Sequence, residues 1–472
     1  MRRRLLACLS LLILGCSGAA TSRGATVVFA SGADLQSINP LVTSHPLARQ
    51  IQRYVLLTTL VRYDSSMRVT PYLARTWAWS RDSTILTMHL TTVLHWDDGV
   101  ATTAQDAVWT LLAARDPATG YPRQSDLADV DTVTAPDDST LAITFRHPQQ
   151  GIADVFTDLA ILPAHLLKAV PNAGLRRAAW NVSPIGNGPF RFVSHQPNRR
   201  WVFSANANFP AALGGPPAID RMVIAIVDEP TTKLAALTSG ELDFAGIQPA
   251  HAQFVRRDPR LAVIEYPLLL TYAVVFNTRR PPFNDVLVRR AISQAINRSA
   301  IVNGYLYGFG TPATGPVPVL PADSAPFDPI SARRFLAPRK IRFELLTVGS
   351  GEAALEQMIQ ADLAAVGVHA EIRQLELTSF LDRVQGATHD FDAAVMGITG
   401  DPGMGQLAPL LATSGIAPPL EVAARLRAFA DSTPAAFLYH ARGVQGMNRR
   451  VLGVRMDLRG ELPTVTSWHV NR

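Results

Sequence analysis

Chemistry needs acids, histidines, cysteines or hydroxyls at spacings that bring them to one point. This 472-residue chain offers few such groupings. Its eleven histidines are dispersed, and none stands at the spacing of a metal-ligand pair. His389, Asp390 and Asp392 are close in sequence, but neighbours along a strand alternate faces, so they read as solvated turn residues. Asp97 and Asp98 are adjacent, which denies them the separation of a flanking acid/base pair. The acid-rich stretch "DVDTVTAPDD" lacks the regular oxygen spacing of a calcium loop and reads as a polar hairpin. No HExxH, GxSxG or GxxxxGK[ST] occurs, and "GFGTPA" at Gly308 to Ala313 lacks the third glycine and following helix of a dinucleotide loop. No enzyme activity, metal or cofactor is expected.

The only cysteines are Cys8 and Cys16. They lie in "MRRRLLACLSLLILGCSG", where three arginines precede a short apolar run from Leu5 to Leu14. That is the layout of a secretory signal, and it is too short for a membrane span of about 20 residues. Its end, Ile13-Leu14-Gly15-Cys16, resembles the bacterial lipobox, which implies cleavage after residue 15 and lipidation of Cys16. The body would then carry no disulfide and sit on the outer face of a membrane or in the periplasm. Residues 16–26, small and polar, read as a tether.

The bulk composition fits a globular body with a large core, at 47% hydrophobic and 17% charged residues. Net charge is +6, but the arginines are scattered, with no basic block beyond the first residues and no aromatic interleaving, so no nucleic acid partner is expected. Residues Gln50 to Tyr63 look helical. "WAWSRDSTILTMHLTTVLHWDDG" alternates as an antiparallel pair, and "TTAQDAVWTLLAARD" is a helix that Thr102 or Thr103 can cap. "VDTVTAPDDSTLAITFRH" reads as a hairpin. Further on, "LTYAVVF" is a buried strand. The helix after Asn284 turns Val288, Ala291, Ile292, Ala295 and Ile296 inward and Arg289, Arg290, Gln294 and Asn297 outward. Alternating strands and helices through the later half, from "IDRMVIAIVD" to "FDAAVMG", predict a mostly parallel sheet covered by helices.

Five stretches, in order, resemble the family 5 extracellular solute-binding proteins, the oligopeptide, dipeptide and nickel receptors of ABC importers. They are "VTPYLARTWAWSRDSTILTMHLTTVLHWDDGVATTAQDAVWTL", "SPIGNGPFRFVS", "LTSGELDFAG", "AVVFNTRRPPFNDVLVRRAISQAINRSAIV" and "AAFLYHARGVQGMNRRVLGV". The resemblance covers the chain from about residue 27 onward. It implies a periplasmic-binding-protein-like bilobal α/β fold of class II, enlarged by an extra α+β insertion. Lobe I would be discontinuous over 27–54, 186–275 and 441–472, lobe II would span 55–185, and lobe III 276–440. A solute would bind between lobes and be delivered unaltered to a permease and its ATPase, by a monomeric receptor.

In peptide-binding members an acid closing a "G-W-x-x-D" pattern meets the ligand ammonium. Gly397-Ile398-Thr399-Gly400-Asp401 matches, with Ile398 in place of the aromatic. The resemblance therefore implies Asp401 as amine partner, beside Gly397, Ile398 and Thr399. Thr43, Ser44 and His45 match a cleft-lining loop, and Tyr272 and Asn277 flank the crossing strand. Between Gly310 and Lys340, and between Pro402 and Ala435, the chain is shorter than typical members, which implies a trimmed third lobe and a smaller ligand. The alternative is a ligand-binding sensor or surface lipoprotein not coupled to transport. A secreted hydrolase would need a nucleophile and base, and the sequence places no such pair.

Overall fold

The computed structural model describes residues 25–43, 45–318, 326–349, 351–385, 389–400, 407, 410–411, 415–416 and 422–471. The signal segment and Cys16, with Ser44 and Asp401, lie outside the described residues.

Alternation along the early chain produces a four-stranded antiparallel sheet in the order Ala74–Trp79, Ile85–Leu90, Thr140–Phe145, Val130–Asp137. Leu86, Met88 and Leu90 point to the buried face. The helix Ala104–Arg115 closes that face. The buried Asp106 sets its start, accepting from Thr103 N (3.0 Å), Trp96 Nε1 (3.2 Å) and Ala164 N (2.9 Å). One carboxylate thus satisfies three donors that burial would otherwise strand.

The remaining strands form one 11-stranded sheet. From one edge it runs His369–Leu375, Arg342–Val348, Ala393–Thr399, Leu261–Phe276, Ala435–Asn448, Phe244–Gly246, Thr26–Ser31, Arg221–Ile226, Arg200–Ala205 and Phe190–Gln196, with Gly310–Pro312 also on Ala435–Asn448. The sheet is mixed, which corrects the expectation of a mostly parallel one. Parallel pairs occur around Thr26–Ser31 and Arg342–Val348, and the other pairs are antiparallel. The reason is the pair of long strands, Leu261–Phe276 and Ala435–Asn448, which cross the molecule against each other. Periodicity reports burial and carries no record of a strand's partner or direction.

The two long strands stay in register until Pro267, where a residue without an N–H meets Arg442, and pairing resumes at Thr271 opposite His440. In the gap, Thr271 Oγ1 donates to Pro316 O (2.9 Å) and lies 2.9 Å from His440 Nδ1. Burial pushes the His440 imidazole down to about 4, so it is neutral at physiological pH. Beyond the gap, helices cover both faces of the sheet. Val286–Ala295, Arg298–Gly304, Pro329–Leu336 and Ala354–Ala365 pack on one, and Leu377–Gln385 and Val422–Ser432 on the other.

Two local expectations are corrected. Arg289 is not on the outer face. It is 5% exposed and donates to Ser432 O, Thr433 O (2.9 Å) and Phe283 O (2.6 Å), serving a helix C-terminus and a loop that no apolar side chain could satisfy. The segment Gln50 to Tyr63 is not one helix. The helix Pro46–Ile51 widens into a π-turn over Gln52–Leu56, and Val61–Tyr63 is a strand. The cause lies across the chain. In the loop Gly186-Asn187-Gly188, Asn187 N and Gly188 N both donate to Leu56 O (3.1 and 2.9 Å), and Asn187 Oδ1 accepts from Thr58 N (3.0 Å). The loop captures Leu56 O, which a continuing helix would have needed.

Candidate functional site

A cleft of about 660 Å³ opens where the two parts of the large sheet meet the four-stranded part. This lies within the range of small-ligand sites. One wall is the end of the first strand and the following turn, Phe29 to Ala33, with the helix surface from His45 to Tyr54. The second is Leu268–Leu270, where the crossing strand loses its pairing with Ala435–Asn448 but keeps that with Ala393–Thr399, together with Thr399 and Gly400. The third is Asp154, Thr157, Asp158 and Arg123, and the fourth is Leu458 to Glu461. A neighbouring hollow of about 810 Å³ shares Arg53, Tyr54, Tyr63, Thr157 and Arg459 with it, but does not reach the Leu268–Leu270 wall.

Charge is distributed unevenly around the cleft. Asp158, 8% exposed, receives three guanidiniums: Arg53 at 2.7 Å, Arg123 at 2.9 Å, and Arg49. Burial alone would push the Asp158 carboxyl up, but Arg53, Arg49 and Arg123 outweigh it and hold it far below the usual carboxylate range. Arg123 also donates from Nε to Asp126 Oδ2 at 2.7 Å. Arg49 and Arg53 are four apart on the helical surface, so they reach the same side.

Gln50, which follows Arg49, faces a different acid. Its Nε2 donates to Glu461 Oε2 (2.8 Å), and its Oε1 accepts from Glu461 N (2.6 Å) and Leu462 N (3.0 Å). Tyr266 Oη donates to Glu461 Oε1 at 2.6 Å. Burial pushes the Glu461 carboxyl up, and the two side-chain hydrogen bonds only partly offset this. Among the described residues no Arg, Lys or His forms an ion pair with Glu461. The cleft therefore carries a wall of arginines paired with Asp158 beside Asp154 and, separately, an acid without a cationic partner among the described residues.

The residues singled out from the sequence fall into three places. His45, Thr399 and the neighbouring Gly400 line the cleft. His45 also caps the helix, its Nδ1 accepting from Ala48 N at 3.3 Å. Thr43 is buried behind that wall, beside a small void with Arg49, Arg123 and Asp158. Gly397 and Ile398 belong to the strand that carries Thr399, with Ile398 packed into the core beneath it. Tyr272 stacks on Tyr439 at 4.9 Å and does not line the cleft. Asn277 is buried at the far end of the crossing strand, donating to His389 O and Phe391 O, both at 2.8 Å. Arg49, Arg53, Arg123, Asp158, Tyr266 and Glu461 were not found from the sequence. Only the four-residue spacing of Arg49 and Arg53 was a signal, and their partner lies 109 residues from Arg49.

A sheet crossed by two long strands, with a cleft at the crossing and a separate α+β part beside it, defines a bilobal α/β binding fold. The family model for bacterial extracellular solute-binding proteins, family 5 Middle, matches residues 68–417, and the chain belongs to that family. The dipeptide-binding protein of Escherichia coli is 26% identical over 432 residues, covering 84% of this chain and 80% of its own. A relative in Brucella ovis, whose name places it with ABC transporter peptide-binding proteins, is 30% identical over 350 residues, 70% of this chain. The matched stretch spans 66% of that relative's length, just under two thirds. Among solved structures, the ABC transporter substrate-binding protein CtaP of Listeria monocytogenes superposes with a TM-score of 0.82 at 19% identity, covering 95% of this chain and 100% of its own. The DppA protein of Helicobacter pylori, solved with the peptide STSA, does so at 0.74 with 20% identity, covering 95% and 98%.

Proposed function

We propose that this chain is the substrate-binding component of an ABC importer, capturing short peptides in the cleft and handing them unaltered to a permease and its ATPase. The cleft carries this reading. Its walls come from strands on both sides of the crossing pair, Thr26–Ser31 and Ala393–Thr399, so closure about the register shift between Pro267 and Thr271 would bury a guest. The edge of Leu268–Leu270 turned away from Ala393–Thr399 has no strand partner there, which suits an extended chain. Relatives with peptide-binding names support the solute class. Lobe I is assigned to 27–54, 186–275 and 441–472, lobe II to 55–185 and lobe III to 276–440. The four-stranded sheet falls inside the second of these. Asp401, which follows the cleft residue Gly400, is assigned to the ligand ammonium.

Peptide binding is expected to raise the melting temperature, because a ligand of the native state adds RT ln(1 + [L]/Kd), about 2.7 kcal/mol at a hundredfold excess over Kd. A thermal-shift series from Ala-Ala to pentaalanine tests this, and a flat response throughout would remove the receptor role. Asp401→Asn is expected to weaken free-amine peptides and leave N-acetylated ones nearly unchanged. Equal losses would take Asp401 out of the amine role.

Cys16 is proposed as the site of a lipid anchor on the outer face of the membrane. Cys16→Ser is expected to release the protein to the soluble fraction in a radiolabelled-palmitate fractionation. Unchanged label and membrane retention would refute the anchor.

A further inference from the structure

We infer that the hollow of about 810 Å³ beside the cleft is a second binding site, for a phosphate ester, with Arg62 and Arg455 holding the anion. It goes beyond the peptide reading, because Arg62, Tyr72 and Arg455 line the hollow and do not line the cleft.

Four arginines and one aspartate line the hollow: Arg53, Arg62, Arg455, Arg459 and Asp64. Three of these charges are matched. Arg53 pairs with Asp158 at 2.7 Å, Arg459 with Asp457 at 2.6 Å, and Asp64 with Arg68 at 2.9 Å. Asp154, on the cleft side, accepts from Tyr63 Oη. Arg62 and Arg455 are exposed and form no ion pair and no side-chain hydrogen bond with any described residue. A concave wall with unmatched charge of one sign focuses its field on the space before it.

The donors of this wall are held in place. The Arg62 guanidinium lies over the Tyr72 ring, 4.6 Å from its centroid. Arg455 is fixed through its backbone, its N donating to Thr464 Oγ1 (3.0 Å) and its carbonyl accepting from the same hydroxyl (3.1 Å). Tyr72 is 5% exposed, and neither its hydroxyl nor that of Tyr54 hydrogen-bonds to a described residue. Burial pushes the Tyr72 hydroxyl up to about 12, so it keeps its proton at physiological pH. Two unengaged guanidinium forks and two unengaged hydroxyls suit an anion with several acceptor oxygens, and a phosphate supplies them. The volume admits an ester larger than the bare ion.

A lipid headgroup and a free ester share this chemistry. The path of the chain favours the headgroup, which rests on the anchor proposed at Cys16. Asp220 N donates to Ala25 O (2.9 Å), and two residues earlier Ala218 N donates to the carbonyl of Thr466, which lines the hollow (3.2 Å). Cys16 stands nine residues before Ala25, about 30 Å at full extension, so an anchor there keeps the hollow within reach of phospholipid headgroups.

The test is co-sedimentation of the full chain carrying Cys16→Ser, which cannot be lipidated, with phosphatidylcholine vesicles containing or lacking phosphatidylglycerol. Calorimetry with glycerol 3-phosphate, and with glycerol as control, runs beside it. Both are repeated on Arg62→Gln/Arg455→Gln and on Arg257→Gln/Arg342→Gln, a pair of exposed arginines outside the hollow that removes the same charge. The wild type is expected to prefer vesicles with phosphatidylglycerol. An arginine at an anionic surface contributes about fivefold, so the first double variant should lose at least about tenfold and the second little. Peptide affinity should be unchanged in the first. Binding of vesicles alone assigns the site to lipid headgroups, and binding of glycerol 3-phosphate alone assigns it to a soluble ester. Binding of neither, or an equal loss in both double variants, overturns the site. Should the first double variant fail to fold, as judged by its melting temperature, Tyr72→Phe keeps the ring under Arg62 and removes a donor. It is expected to weaken binding about twofold to tenfold, and unchanged binding in it refutes the donor set.

Discussion

Gly188→Ala is expected to destabilise the protein by about 3 kcal/mol, the upper end of ordinary overpacking costs. An added Cβ would stand 2.5 Å from Leu56 C, 2.6 Å from Val55 O and 2.7 Å from Leu56 O. All three are backbone atoms, so no rotamer change relieves the clash. The loop would have to withdraw. Withdrawal breaks the bonds from Asn187 N and Gly188 N to Leu56 O, and strains Asn206 Nδ2→Gly188 O at 3.1 Å. Gly186 is held in the same way, with its missing Cβ 2.2 Å from Leu56 O. The π-turn that ends at Leu56 also carries Arg53, so the variant should lose ligand affinity along with stability. Urea unfolding of Gly188→Ala beside Gly351→Ala, where an added Cβ meets nothing within 4 Å, is the measurement. Matching midpoints for the two would show that the loop does not clasp the turn.

Asp158→Ala is expected to cost about 3 kcal/mol at neutral pH, because it leaves three guanidiniums converging on an empty point. The arginines keep 15–27% side-chain exposure, which places the loss at the lower end of that for fully buried pairs. The pH dependence has a definite sign. The folded-state carboxyl lies far below its unfolded value of about 3.9. The stability it contributes is complete above that unfolded value and is lost as pH falls toward the folded one. The gap between wild type and variant should therefore be constant from about pH 5 upward and shrink progressively below about pH 4. Unfolding curves at a series of pH values measure it. A gap that instead grows on acidification would mean that Asp158 is not the anion holding this wall together.

Particular residues show how far the sequence could be read. The hairpin read around Pro136-Asp137-Asp138, whose turn falls slightly later at Asp138–Ser139, the helix Ala104–Arg115 with Asp106 at its start, and Gly240 and Gly367 in left-handed conformations at helix ends follow from local rules. Arg289 was misplaced because helical spacing assigns a charged residue to water. Here its guanidinium instead serves the carbonyls of Ser432 and Thr433, more than 140 residues away. Arg298 shows the same kind of buried service. It is 8% exposed, donates to Phe437 O at 2.6 Å and to Ser293 Oγ at 2.7 Å, and burial brings it down to about 10. The sheet directions were misread for a related reason, since strand pairing is decided by distant segments.

What the chain determined by itself was the class of molecule. Its ordered motifs, its apolar periodicities and its lack of any catalytic constellation marked a member of a solute-binding family, and the positions of most helices and strands. Tertiary structure alone decided the character of the cleft. Gln50 meets Glu461 across 411 residues and Arg49 meets Asp158 across 109. The strength of a charge depends on its neighbours and its access to water, and neither exists until the chain has folded.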